Sequence, residues 1–292
     1  MLKGARILTF NCGSHSLKLG TRTYIMGILN ITPDSFFDGG MYYNADAAVD
    51  RALEMVSEGA DIIDIGAQST RPGYTRISAD QEWERLCPVL GALKEKVNVP
   101  ISIDTFYPEV ADAAMGMGAS IINDVSGSLE NGMPAIAAKT GAGLILMHSG
   151  RGSDDTGSGG NAIKMVRGYF EKALETVACQ GLELNRICLD PGIGFGKNRQ
   201  GDLMLVACLS KLLNGLPQTA VMIGASRKRV IASCCDSSIK TDNRLAGTLA
   251  LHTIAALNGA HILRVHDVAA AVQAARVTDA LKEVGNREEN YG

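Results

Sequence analysis

The sequence predicts a single (β/α)8 barrel, and three observations carry that expectation. Eight short runs rich in Ile, Val and Leu alternate with eight longer Ala-rich stretches of helical period, and no second compositional regime interrupts them. The length of 292 residues suits the ~250 typical of one such barrel. Two ordinary domains would also fit that length, but unbroken alternation favours one domain over 1–292, with its barrel at about 24–284.

Taken in order, a hairpin comes first: residues 6–22 alternate in character around a Gly13-Ser14 turn and are expected to close the barrel bottom. Strands are expected at 24–29, 61–65, 99–103, 120–125, 143–147, 186–189, 220–223 and 261–265. Each is short and nearly continuously apolar, as a parallel strand buried on both faces must be. The helices that follow them are expected at 45–58, 79–96, 108–117, 133–140, 162–180, 203–213, 243–257 and 268–284. Residues 150–160 are dense in Gly, Ser and Asp and predict a loop after the fifth strand, while the polar tail from Gly285 is expected to fray.

Composition narrows the function. The 28 Lys and Arg against 31 Asp and Glu leave a net charge of −3, with 46% hydrophobic and 20% charged residues. A chain without a sequence-wide basic field is poorly suited to nucleic acid or an acidic membrane, so small molecules are the expected partners. The seven cysteines are odd in number and lack C-x-x-C spacing, which fits a reducing cytoplasm. No apolar run approaches the ~18 residues of a membrane span, and no export signal is read.

Active sites of such barrels lie at the C-terminal ends of the strands. There the runs end in Asn30, a loop at 66–73, Asp104, Asn123 with Asp124, His148, Asp190, the Ser226-Arg227-Lys228 triplet, and Arg264 with His266. Asp and Asn also cap helices and build turns, so each residue alone is as readily structural as functional. Polar groups at nearly every strand end point to a site.

The motifs at those ends carry a resemblance. Met26-Gly-Ile-Leu-Asn-Ile-Thr-Pro-Asp-Ser-Phe with Asp38-Gly-Gly, Gln68-Ser-Thr-Arg-Pro-Gly, Asp104-Thr and Ile122-Asn-Asp-Val-Ser-Gly come first. Leu189-Asp-Pro-Gly-Ile-Gly-Phe-Gly-Lys, Ser226-Arg-Lys and Arg264-Val-His-Asp-Val follow. In content and order they resemble the dihydropteroate synthase family, over Met26 to Val268. The resemblance implies condensation of 6-hydroxymethyl-7,8-dihydropterin pyrophosphate with p-aminobenzoate, a magnesium ion, and a homodimer.

It also implies roles. A pterin presents N–H donors beside ring nitrogen and carbonyl acceptors, so a buried site needs carboxylates for the donors and an amide or ammonium for the acceptors. Asp104, Asn123, Asp190 and Lys228 supply that set, with Met147 as an apolar wall; Asp64, on the inward parity of its strand, either extends the network or is structural. Arg71, Arg264, His266, Thr70 and Asn30 match the family's pyrophosphate site, which neutralises the leaving group. Lys228, Arg264, His266 and Asp104 are the implied catalytic residues. Asn30 would ligate magnesium, with Asp38 as a second candidate. Phe195, Pro72, Ser226 and Thr70 would line the p-aminobenzoate pocket, where a sulfonamide is expected to compete.

The Gly192-to-Lys197 run is not a phosphate loop, because G-x-x-x-x-G-K needs Gly at Pro191 and Ser or Thr at Asn198. Phe37, Ala67, Gln68 and Arg229 depart from the family pattern and bear on affinity and loop closure. Two rival readings stand beside the synthase: a methyltransferase acting on methyltetrahydrofolate, which has no use for a pyrophosphate clamp, and a catalytically silent pterin-binding protein.

Overall fold

An Ile-, Val- and Leu-rich strand is stable where helices cover one face and a packed interior the other. The computed structural model describes residues 7–31, 45–68, 76–150, 159–235 and 238–288, and it closes eight such strands into a parallel barrel. The barrel strands are β3 (Tyr24–Asn30), β4 (Ile62–Gly66), β5 (Ile101–Thr105), β6 (Ile121–Asp124), β7 (Gly143–Met147), β8 (Ile187–Asp190), β9 (Ala220–Ile223) and β10 (Ile262–Val265). They run in chain order around the barrel, and β10 returns to β3 with Ile262 opposite Tyr24.

Before them, β1 (Leu8–Cys12) and β2 (His15–Leu19) form the expected hairpin. Its two-residue turn puts Gly13 at φ +57°, the left-handed region that the first position of a type II′ turn requires. Phe10, Cys12 and Leu19, all fully buried, pack against the inward side chains Met26, Ile62, Ile121, Ile145, Cys188, Met222 and Ile262. The hairpin therefore stoppers the N-terminal end. Gly143 makes room for it, since a Cβ there would lie 2.6 Å from the Phe10 ring.

The outer ring is α1 (Ala45–Glu58), α2 (Ala79–Leu93), α3 (Pro108–Gly116), α4 (Met133–Thr140), α5 (Gly159–Cys179), α6 (Arg199–Ala207), α7 (Leu209–Leu213), α8 (Arg229–Cys234), α9 (Leu245–Leu257) and α10 (Val268–Glu288). A capping box starts α2: the Ser78 hydroxyl accepts from the Gln81 amide, and the Gln81 side chain accepts from the Ser78 amide. Where the periodicity predicted one helix over 203–213, the chain breaks at Cys208 (φ −114°, ψ 26°) into α6 and α7. Six residues of α8 follow β9 without having been expected. The predicted end at Val284 is overrun, because α10 continues through Gly285 to Glu288. None of its helices is long and apolar enough to cross a membrane, among the described residues.

Candidate active site

Alternation along a strand puts residues two apart on one face, so the inward parity that buries Ile62, Ile121 and Cys188 at the bottom delivers Asp64, Asn123 and Asp190 to the top. Asp104 joins them from β5, Lys228 from beyond β9 and Arg264 from β10. Met147, Val125 and Phe195 form the apolar side of this mouth together with Phe106. The polar set that the resemblance assigns to a pterin thus lines one cavity, and Arg264 lines it too.

Arg264 is the centre of the polar network. Its Nε donates to Asp64 Oδ2 at 2.6 Å and its Nη2 to Asp104 Oδ2 at 2.5 Å. Burial opposes the guanidinium charge, and the two carboxylates more than offset it, so the Arg264 pKa lies above its ordinary value. This geometry gives the arginine two carboxylate partners inside the mouth, beside the pyrophosphate role that the resemblance implies. Asp64, fully buried, also accepts from Asn123 Nδ2 at 3.2 Å, which places it in the network.

Acceptors remain for a ligand. Asn123 Oδ1 is buried without a partner among the described residues, and such an atom costs about 1–3 kcal/mol unless a ligand or water satisfies it. Asp190 uses Oδ1 to accept from the Gly192 amide at 2.7 Å, leaving Oδ2 for the cavity side. Burial pushes the Asp104 carboxyl up to about 7, against the pull of Arg264 and with the help of Asp64. Burial likewise raises Asp190, opposed by the Gly192 amide and Lys228. Lys228 is driven down to about 8 by burial and then by Arg264, and its Nζ rests 3.9 Å above the centre of the Phe195 ring.

His266 differs from the cation that an anion site invites. Burial, and after it Arg264, lowers its pKa to about 3, so it is neutral at pH 7. Ser226 Oγ accepts from the His266 amide at 3.2 Å and lies within hydrogen-bond reach of its Nδ1 at 2.9 Å. His266 therefore enters the site as a neutral imidazole that orients Ser226.

The turn carrying Ser226 and Lys228 is held from outside. Arg227 has φ +57°, a conformation unusual for a residue with a side chain. Its amide donates to Thr248 Oγ1 at 3.0 Å, and its guanidinium forks onto Asp267 at 2.6 and 3.1 Å. The Ala225 amide donates to His252 Nε2 at 3.1 Å. The loop after β8 is fastened similarly: Lys197 Nζ donates to the carbonyls of His148, Gly192 and Phe195 at 3.1, 2.9 and 2.8 Å. Neither fastening was foreseen, although the Asp267 and Lys197 ends of both lie inside the quoted motifs.

Thr70, Arg71, Pro72, Asp38 and Phe37 lie outside the described residues. Asn30 ends β3, half-buried, on the inward parity of Met26 and Ile28. Among the described residues no group of three His, Cys, Asp or Glu is placed to cage a metal. A lone neutral amide oxygen fits a magnesium ion held chiefly by ligand oxygens and water. Of the departures from the family pattern, Gln68 is buried with Oε1 accepting from the Ile77 amide at 2.8 Å, the Ala67 carbonyl accepts from Arg85 at 3.0 Å, and Arg229 is exposed. The first two anchor the chain beyond β4.

Comparison with known proteins gives the same direction. The family model described as pterin binding enzyme matches residues 26–266. The dihydropteroate synthase of Clostridium beijerinckii is 38% identical over 272 residues, 92% of this chain and 98% of that protein. A dihydropteroate synthase of Xanthomonas albilineans solved with 4-aminobenzoic acid superposes with a TM-score of 0.86 at 37% identity, covering 95% of this chain and 99% of that one. The same organism's enzyme in complex with 7,8-dihydropteroate gives 0.82 at 35% identity, covering 94% and 98%.

Proposed function

The chain belongs to the pterin-binding enzyme family, and from that premise we propose that its barrel mouth condenses 6-hydroxymethyl-7,8-dihydropterin pyrophosphate with p-aminobenzoate. The activity is that of a dihydropteroate synthase, a transferase. The observation that carries the reading is the buried set of Asp190, Asn123 with its unpartnered Oδ1, Asp104 and Lys228 around one cavity. These supply acceptors for the N–H edge of a pterin and a cation for its ring acceptors.

In the reaction the exocyclic C–O bond to pyrophosphate breaks, the aryl amine forms the new C–N bond, and the nitrogen loses one proton. The electron-rich dihydropterin stabilises the cationic carbon itself, so the protein needs no covalent nucleophile. Its share is positioning and charge. Asp190 and Asn123 orient the ring, Met147 and Phe195 exclude water, and Lys228 stands between the pterin set and the Phe195 side of the mouth. Arg264 and the imidazole of His266 face the departing anion, with Thr70 and Arg71 as further donors. Asn30, with Asp38 as a second candidate, would hold a magnesium ion, which would lend positive charge to the pyrophosphate oxygens when bound. Phe195, Ser226, Thr70 and Pro72 take p-aminobenzoate, or a sulfonamide in its place.

The deciding assay measures pyrophosphate release with and without p-aminobenzoate. Release that requires p-aminobenzoate and equals dihydropteroate formed is expected; release indifferent to it, or none, refutes the activity. Lys228→Ala is expected to fold and to lose turnover by about 10²–10³-fold, the scale of one oriented group at a reacting centre. Wild-type turnover in the folded variant removes Lys228 from the mechanism.

The outer surface supports a homodimer. Val277, Leu281 and Val284 are 54–59% exposed on one stripe of α10, and Ile254 is 45% exposed on the adjacent α9. An apolar stripe of this kind suits a two-fold contact with a second copy. Leu281→Lys is expected to convert dimer to monomer in sedimentation at unchanged barrel content by circular dichroism. A variant that sediments like the wild type places the contact elsewhere.

A further inference from the structure

Three carbonyls converging on one ammonium are a demanding arrangement, because each would otherwise need water and the ammonium has three protons to give. In the loop after β8, Lys197 satisfies all three: Phe195 at 2.8 Å, Gly192 at 2.9 Å and His148 at 3.1 Å. Two of these belong to the loop and the third to the residue just past β7, so the lysine ties the loop to the neighbouring strand. Side chains hold the loop's amides as well. Asp190 Oδ1 accepts from Gly192, and Asp202 Oδ1, on α6, accepts from Gly194 at 2.8 Å. The fit is close: Gly192 has φ +67°, and a Cβ there would lie 2.1 Å from the His148 carbonyl oxygen.

We propose that Lys197 is a positioning residue for the condensation, fixing through the Phe195 carbonyl the aromatic ring that walls the aryl-amine side of the mouth against Lys228. Lys197 faces no reacting atom itself; its ammonium is spent on backbone oxygens. The ring it fixes lies under the Lys228 ammonium at 3.9 Å, so a shift of the loop moves the wall away from that cation. The assignment rests on the dihydropteroate synthase reading above. It predicts a defect centred on the aryl amine, since the pterin-side groups Asn123, Asp104, Asp190, Arg264 and Lys228 hang from the strands, their network or the turn after β9 and not from the loop.

The test is a kinetic double-mutant cycle on the full chain. Lys197→Met is expected to raise KM for p-aminobenzoate at least about tenfold while KM for the pterin pyrophosphate moves less than about threefold. Lys197→Arg, which keeps a cation and several donors, is expected to restore most of the loss. In a Phe195→Leu background, Lys197→Met is expected to add almost nothing. Equal rises in both KM values, or the full effect persisting without the Phe195 ring, overturn the assignment. If Lys197→Met does not fold, Lys197→Gln takes its place in the cycle. Failure of both to fold assigns the lysine to barrel stability and overturns the proposal. A wild-type chain without turnover refutes the activity and this inference together, whereas normal turnover with undivided KM effects refutes this inference alone.

Discussion

Arg264→Ala is expected to cost about 3–5 kcal/mol of stability near pH 8, the scale of breaking a buried ion pair by removing one partner, and clearly less near pH 5. The guanidinium is the shared counter-ion of Asp64, fully buried, and Asp104, 12% exposed. Without it two carboxylates face each other in the mouth. Asp104 already titrates at about 7 in the folded chain against an ordinary 3.8. A carboxyl raised in this way binds a proton in the folded state that the unfolded state releases, so its contribution to stability is present at low pH and is lost as pH rises through about 7. Removing Arg264 takes away the charge that was holding Asp104 down; its pKa climbs further and the loss at high pH deepens. Urea melts of both proteins at pH 5 and pH 8 measure this, and a gap that stays constant between them defeats the argument. The same variant is expected to bind a pterin lacking pyrophosphate poorly, because the arginine positions Asp104 as well as facing the anion.

Asp190→Asn is expected to weaken pterin binding by a factor of about 30 or more, from a cost of roughly 2–5 kcal/mol for a buried mismatch at a charge-assisted hydrogen bond. The amide is nearly the same size, and its oxygen can keep the 2.7 Å bond from the Gly192 amide. That retained bond is what makes the result harsh. With the oxygen held there, the NH2 group occupies the place of Oδ2 and presents donors where a pterin presents its own. Melting temperature should hardly move, since the loop anchor survives. Calorimetric titration with the bare pterin separates the outcomes, and an affinity within threefold of wild type would show that Asp190 does not face the N–H edge.

The barrel was legible because each of its strands is buried on both faces: an Ile-rich run such as that of β4 reads as a strand whatever lies around it. Parity also placed Asp64 inward, and the strand-end rule put Asn123 and Asp190 at the mouth, before any partner was known. What could not be read depended on distant contacts. Cys208 interrupts α6 and α7 although the apolar period runs on across it. The continuation of α10 past Gly285 shows the opposite case, a helix extended beyond its predicted end. For Arg264, strand position gave its face and not its partners, which sit 160 and 200 residues away in the chain. Lys197 stood inside a recognised motif, yet its function lies in backbone carbonyls, which a sequence does not display.

The stopper at the barrel's lower end has a consequence for how the chain acquires its shape. Its two strands are the first described elements to leave the ribosome, and they can pair at once because their turn is only two residues long. Their apolar side cannot yet be sheltered, since Cys188, Met222 and Ile262 are among its eventual neighbours and are synthesised far later. Closure of the barrel waits for β10 to meet β3. For most of translation, therefore, Phe10 and Leu19 belong to a nascent chain with exposed apolar side chains and unpaired strand edges, the condition in which chaperone capture and aggregation compete with folding. Assembly dominated by such late, long-range contacts is slow, and the stopper's packing would be among the last events to be completed.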